Sequence, residues 1–163
     1  MQRTFRFMAL SLSLAATAAA APVRAVWPPW LSIESPVNPY DPATRGAALL
    51  VRTFVREGGT SVKDLTGSAE GLVGVTRRSV ALTFDATPYP GVYAVRRQWP
   101  TEGAWMLRIT LKEHTTALVT LDRGEGVASV RVATRAQSTG GIPLPRDVAM
   151  REIDSTLTAM AAK

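Results

Sequence analysis

Apolar and polar residues alternate in a succession of short runs, and this period of two is the feature that most restricts the fold. The clearest run is RSVALTFDA (78–86), in which Val80, Leu82 and Phe84 share one face of an extended chain. Comparable runs, separated by turn residues, occupy 47–56, 92–99, 104–111, 116–121 and 127–135, with a weaker, glycine-interrupted run at 68–75. Many short strands with turn signals between them predict a mainly β protein, an antiparallel β-sandwich.

The spacing of these runs predicts two β-hairpins. Residues 92–99 and 104–111 are separated by a short proline–glycine loop, and 116–121 and 127–135 by the turn DRGEG. We expect the first pair to place its aromatic residues against each other in the core, with Arg108 on the opposite face. The predicted core comprises Val80, Leu82, Phe84, Tyr93, Val95, Trp105, Leu107 and Ile109.

Residues 1–25 have the organisation of a secretory signal peptide. Arg3 and Arg6 precede FMALSLSLAATAAAA, an apolar run too short to cross a bilayer, which needs about 20 residues. Small residues at −3 and −1 allow cleavage after Ala20 or Ala25, and a retained anchor helix is the alternative. The segment predicts a periplasmic or secreted protein, with no transmembrane segment after signal removal.

The chain contains no cysteine, so an exported domain of this sequence must be stabilised by packing without disulfides. Loss of Arg3, Arg6 and Arg24 with the signal lowers the formal net charge from +6 to +3. A mildly cationic domain weakly favours acidic surfaces and gives no indication of nucleic-acid binding.

The ends of the predicted sandwich, residues 30–135, differ in composition from its centre. A proline-rich entry segment, 26–46, contains the first strand, LSIES, with Leu31 and Ile33 inward. Its tryptophans, Trp27 and Trp30, form either a lid folded onto the domain or an exposed docking site. After the sandwich, residues 136–145 are expected to be a linker.

The C-terminal residues 146–161 change from a period of two to the period of an α-helix. The predicted apolar stripe consists of Met150, Ile153, Leu157 and Met160, which recur at helical spacing. Asp147 and Glu152 near the start and Lys163 at the end suit the helix dipole. A C-terminal amphipathic helix is therefore expected beside the sandwich.

The stretch GVYAV (91–95) resembles the sixth strand of immunoglobulin-like domains, in which a glycine and a tyrosine precede a cysteine. Gly91 and Tyr93 match, whereas Val95 replaces the cysteine and Tyr89 the aspartate. The longer string 89–111 is similar to the final hairpin of the YtkA-like family of exported bacterial domains, through residues Pro90, Gly91, Tyr93, Gly103, Trp105 and Leu107.

This resemblance implies an immunoglobulin-like fold for roughly residues 30–112. Some members of the family are associated with copper and carry a Met/His-rich segment, but residues 62–80 here contain neither Met nor His. The resemblance therefore supports the fold, and we expect no metal and no cofactor.

Candidate sites are few, and each has a plainer structural explanation. His114 is expected to be an exposed loop residue rather than a catalytic base or ligand, since no cysteine and no GxSxG motif accompany it. Oxygen ligands for calcium are offered by Glu34, Asn38 and Asp41, which also suit proline-rich turns. An anion-binding patch is possible at Arg77, Arg78 and Arg97, provided that Arg77 and Arg78 lie in a turn.

Two functions are compatible with these observations. The first is a non-enzymatic binding or accessory module for a protein partner in the envelope or the extracellular space. The alternative is a periplasmic binder of a small ligand, a metal or a polyanion, related to the copper-associated YtkA-like proteins. In either case the inward aromatic residues are expected to form the core, and the binding residues to lie on loops.

Overall fold

The computed structural model describes residues 28–55, 59–122, 126–137 and 143–162. The predicted signal peptide and Trp27 lie outside these residues. Within them, the protein is mainly β, with two antiparallel sheets and one C-terminal α-helix. The predicted fold class is thus confirmed at the level of a mainly β, two-sheet domain with a terminal helix.

The first sheet has four strands in the order β1-β2-β6-β5. The alternating runs at the start of the domain form its longer strands, because their β-branched and aromatic residues fit a pleated sheet. Its strands are β1 (Trp30–Glu34), β2 (Leu49–Phe54), β5 (Asp85–Ala86) and β6 (Val92–Val95).

The second sheet has five strands in the order β4-β3-β7-β8-β9. Its strands are β3 (Leu65–Val73), β4 (Thr76–Ala81), β7 (Ala104–Leu111), β8 (Thr115–Asp122) and β9 (Gly126–Val132). The β8–β9 ladder confirms the second predicted hairpin. A short extra ladder joins β10 (Thr134–Arg135) to β11 (Leu144–Pro145), so the end of the expected linker is paired.

One hydrophobic core lies between the sheets. Trp105, Leu107 and Ile109 on β7 are fully buried in it, together with Tyr93 and Val95 on β6. Leu82 and Phe84, which lie between β4 and β5, are also buried, whereas Val80 on the edge strand is only partly buried. The alternation therefore assigned the inward residues well, because burial of one face is what selects a period of two.

The pairing of the predicted first hairpin is wrong. β6 pairs with β2 and β5, whereas β7 pairs with β3 and β8. The connection 96–103 therefore crosses from one sheet to the other, and Tyr93 and Trp105 contribute to the core from opposite sheets. The loop is long enough for this crossing because the run expected to continue to Trp99 ends at Val95.

Residues 78–86 do not form one strand. β4 ends at Ala81 in the five-stranded sheet, and Asp85 begins β5 in the four-stranded sheet. The chain thus changes sheets here while Leu82 and Phe84 still point into the core. The run 68–75, which contains glycines and was expected to be a weak strand, instead belongs to the nine-residue β3. This strand pairs with β4 on one edge and with β7 on the other.

Helix α1 (Met150–Ala161) packs on the outer face of the five-stranded sheet. Ile153 and Leu157 are buried there against Met106 and Leu118, while Met160 is partly buried. Met150, expected on the same stripe, is half-exposed at the first position of the helix, and Val148 just before it is buried against this face of the sheet. Glu152 lies in the first turn as expected, and Lys163 lies outside the described residues.

Candidate binding surfaces

Aromatic side chains are exposed on the outer side of the four-stranded sheet. Trp30 and Phe54 are directly opposite each other in the β1–β2 ladder. Their side chains lie on the outer face of the sheet, because Leu31 and Val51, which alternate with them, face the core. Phe54 is 56 % exposed and Trp30 is half-buried. Trp30 is therefore a strand residue on a sheet face and not part of a lid.

Two exposed tyrosines lie in loops that join strands of the same sheet. The backbone N–H of Thr53 donates to the carbonyl of Gly91 at 2.9 Å, which brings the turn containing Tyr89 beside the Phe54 end of β2. Tyr89 is 47 % exposed and Tyr40 is 91 % exposed. We call Trp30, Tyr40, Phe54 and Tyr89 the aromatic surface.

Asp41 joins the two loops that carry these tyrosines. Its carboxylate accepts hydrogen bonds from the N–H of Ala43 and the hydroxyl of Thr44, both at 3.0 Å. These bonds, first of all that of Ala43, and a further bond from Tyr89 lower the pKa of Asp41. The Asp41 charge and the same hydrogen bond raise the pKa of Tyr89. Asp41 and Tyr89 therefore lie close enough for each to influence the protonation of the other.

The rest of the loop covers the other end of this sheet face. Val37 and Ala47 pack on Leu50, Val92 and Ala94, which are buried beneath them. The outer face is therefore closed by the chain itself at the Leu50 end and open at the Phe54 end.

The residues considered for calcium are used in turns and pairs. The side-chain Oδ1 of Asn38 accepts from the N–H of Tyr40 at 3.0 Å, and Asp41 makes the bonds described above. The hydrogen bonds of Asn38 and Asp41 fit the turn interpretation. Glu34 instead lies in β1, where its carboxylate is bound to Arg52 at 2.6 Å.

The predicted arginine patch is not assembled. Arg77 and Arg78 are successive residues of β4 and not turn residues, so they point to opposite faces. Arg77 lies toward the helix, where Nη2 is 3.0 Å from Asp154 Oδ1 and 3.5 Å from Glu70 Oε2. Arg97 follows β6 of the other sheet. The strand geometry separates Arg77 from Arg78.

Glu70 is the one buried carboxylate among the described core residues. It accepts hydrogen bonds from the hydroxyls of Ser68 at 2.6 Å and Ser79 at 2.9 Å, and Arg77 balances its charge. This group lies between β3, β4 and the helix. Because Arg77 also forms an ion pair with Asp154 of α1, this group helps to hold the helix on the sheet.

Beyond the helix, the outer face of the five-stranded sheet around Arg108 is polar. On this face Arg108 of β7 is flanked by Ser68 of β3, with Thr66 and Thr110 in the next row. These residues form the floor of a cleft of about 340 Å³, with Glu113 and Asp147 at its rim. We call this the Arg108 cleft.

A second cleft of about 530 Å³ adjoins the first and shares Glu113 and Asp147 with it. It also contains His114, Arg135 and the β11 segment, with residues Leu144, Pro145 and Arg146 and the entry residue Pro28. His114 is exposed in the β7–β8 turn, as expected. We call this the His114 cleft.

Neither the aromatic surface nor the Arg108 cleft was located from the sequence. Alternation placed Arg108 and Thr110 on the outer face, but the sequence contains no signal for where α1 would stop covering that face. Trp30 was considered for docking, whereas alternation in the run 47–56 did not decide which face is buried and so did not single out Phe54. The missing information is the strand order, which brings Trp30 beside Phe54.

In the described parts of the chain, no group of three or more His, Asp or Glu side chains is positioned to hold a metal ion. The same residues include no helix of the length and hydropathy needed to cross a membrane. Comparison of the chain with models of known protein families, with curated protein sequences and with solved structures finds no match.

Proposed function

We propose that this protein is an exported, non-enzymatic binding module that attaches to an envelope or secreted protein through the aromatic surface. The exposure of Phe54, paired with Trp30 on an open sheet face, is the observation that carries the proposal. Large aromatic side chains are enriched at the energetically dominant centres of protein interfaces. Covering them removes apolar area from water, which contributes about 25 cal/mol per Å².

The supporting structure favours binding with little reorganisation. Trp30 and Phe54 belong to paired strands, and Tyr89 lies close to Asp41 in the loop that carries Tyr40. Side chains held on such a scaffold lose less conformational freedom on association than side chains on a free loop. The aromatic surface is thus suited to a partner that recognises a fixed arrangement of rings.

We also propose that the sandwich is immunoglobulin-like and related to the YtkA-like family. The support is the match within residues 89–111 and two local features of it. Gly91 has φ +71°, which explains a glycine before the tyrosine, and the Tyr93 hydroxyl donates to a backbone carbonyl. The placement of β6 and β7 in different sheets is a departure from the final hairpin of that family.

Export rests on the signal-like residues 1–25 and is tested separately. The expected result is that protein from the extracytoplasmic fraction begins at Ala21 or Val26 when its N-terminus is sequenced. Recovery of soluble protein with an intact Met1 from the cytoplasm would contradict export.

The binding proposal is tested by affinity capture from the envelope and extracellular fractions of the source cells. The parent protein is compared with Phe54→Ser and with Val75→Ser, a matched loss at a side chain that is 98 % exposed in the β3–β4 turn. We expect a discrete protein to be retained by the parent and by the Val75 variant, and to be lost with the Phe54 variant. Retention by all three would place the contact elsewhere.

A further inference from the structure

Arg108 differs from Arg77, Arg131 and Arg146, which lie on the same side of the five-stranded sheet. Arg77 is held by Asp154 and Glu70, and Arg131 and Arg146 are both held by Glu152. Arg108 forms no ion pair with any residue in the described ranges, although it is half-buried on a central strand. Its planar guanidinium is suited to bind a carboxylate through two parallel hydrogen bonds.

The surroundings of Arg108 disfavour a simple anion. Glu113 and Asp147 lie at the rim of the same cleft, and Arg135 lies in the adjoining His114 cleft. Arg146 is paired with Glu152, with Nη1 to Oε2 at 2.9 Å, and Arg131 shares the same carboxylate. Apart from this group, two cationic and two anionic side chains line the joined clefts. A ligand with only a negative charge would be repelled by the two carboxylates, and a ligand with only a positive charge would be repelled by the two guanidinium groups.

We propose that the Arg108 cleft binds a free α-amino acid, a small ligand that carries both charges. In this arrangement the ligand carboxylate binds the guanidinium of Arg108, and the ligand ammonium binds the carboxylates of Glu113 and Asp147. The hydroxyl oxygens of Thr66 and Ser68, on the floor of the cleft, accept from the remaining N–H donors of the ligand.

The size of the cleft agrees with this class of ligand. A volume of about 340 Å³ lies at the lower end of the range for small-molecule sites. The ligand side chain extends toward the His114 cleft, where Leu144, Pro145 and Pro28 supply apolar surface. Neutral amino acids of moderate size therefore fit best, because a charged side chain would meet either Arg135 or the shared carboxylates.

This site is independent of the aromatic surface. The Arg108 cleft lies on the outer face of the five-stranded sheet, and the aromatic surface lies on the outer side of the four-stranded sheet. Failure of one proposal leaves the other standing.

The test is binding of glycine, L-alanine, L-valine and L-glutamine to the purified protein, by calorimetry and thermal shift at low ionic strength. Propionate and ethylammonium serve as probes that carry only one of the two charges. We expect saturable binding of at least one amino acid, with both single-charge probes at least tenfold weaker. Arg108→Gln should weaken the amino acid at least tenfold, and Asp147→Asn at least threefold.

Arg78→Gln is the matched control, because Arg78 is an exposed arginine on the opposite face of the same sheet. It should bind as the parent does, and circular dichroism should show that all variants are folded. The proposal is overturned if no amino acid binds, if propionate binds as tightly as L-alanine, or if folded Arg108→Gln retains the parental affinity.

Discussion

The indole ring of Trp105 lies directly over Gly71, so that a Cβ atom at position 71 would come within 2.5 Å of Trp105 Cε3. The two residues are paired in the β3–β7 ladder. Trp105 is fully buried, and its Nε1–H donates to the carbonyl of Glu102 at 2.7 Å, which fixes the ring. Gly71 is thus needed for close packing, and not for a turn.

Gly71→Ala should therefore destabilise the protein by about 1–3 kcal/mol, the usual cost of overpacking a well-packed core. Urea unfolding measures the effect. Gly126→Ala is the matched control, because a Cβ there has no neighbour within 4 Å, and its free energy of unfolding should change by less than about 0.5 kcal/mol. Equal unfolding midpoints for both variants would contradict the contact.

Trp105→Ala should cost about 3–5 kcal/mol, as truncation of a buried aromatic side chain does. Combined with Gly71→Ala, it should cost less than the sum of the two single changes, because the added methyl group then enters space left by the indole. Simple additivity in this double-mutant cycle would show that the two residues do not interact.

Tyr93→Phe should lower stability by about 1–2 kcal/mol, through loss of one hydrogen bond and an unsatisfied acceptor. The Tyr93 hydroxyl donates to the carbonyl of Thr60 at 2.7 Å, and the tyrosine is otherwise buried. This bond joins β6 to the segment after β2. Tyr40→Phe, at an almost fully exposed ring, should have no measurable effect on the unfolding midpoint.

The carboxylate of Glu152 should make the docking of α1 dependent on pH. Its pKa lies below the ordinary value of 4.5, mainly because Arg146 donates two hydrogen bonds to it, with Arg131 adding a third. A lowered folded-state pKa means that the stabilisation is present above the unfolded value and is lost as the pH falls through the folded value.

Glu152→Gln should therefore lower the melting temperature at pH 7, and this difference from the parent should shrink below pH 4.5. Thermal unfolding of both proteins from pH 7 to pH 3 measures the difference. Glu102→Gln, an exposed loop substitution, controls for the loss of one carboxylate. A difference that stays constant with pH would contradict the role of the Arg146–Glu152 pair.

The β7–β8 turn contains two non-glycine residues with left-handed backbone, Lys112 at φ 49° and Glu113 at φ 57°. Such conformations cost about 1–2 kcal/mol per residue for most side chains, and Asn-Gly is the preferred pair for this kind of hairpin turn. The double substitution Lys112→Asn and Glu113→Gly should raise the free energy of unfolding by about 1 kcal/mol in urea. A lower unfolding midpoint would show that the native side chains stabilise the turn.

The sequence was most informative where burial of one face imposes alternation. That condition holds for Trp105, Leu107 and Ile109 on β7 and for Leu31 on β1, and all are buried as expected. It also holds for Ile153 and Leu157, where the period changes to that of a helix.

Strand pairing could not be obtained in the same way, because alternation defines a face and not a neighbour. The loop 96–103 has the proline and glycine of a hairpin turn, yet it joins two different sheets. Gly71 misled the prediction in another way. A glycine within the run 68–75 made β3 look like a weak strand, whereas this glycine is what lets β3 pack closely under Trp105. The candidate binding surfaces depend on strand order and on the extent of helix coverage, which are properties of tertiary structure.

The central claim, that a protein partner binds the aromatic surface, is tested most directly by a photo-crosslinking amino acid. Benzoylphenylalanine is introduced at Phe54 and, in a second protein, at Val75, and each is irradiated with the native envelope and extracellular fractions. Proximity of the probe to a bound protein yields a covalent adduct. We predict one discrete adduct from position 54 and none from position 75, whereas no adduct at 54, or the same adducts at both positions, would contradict the claim.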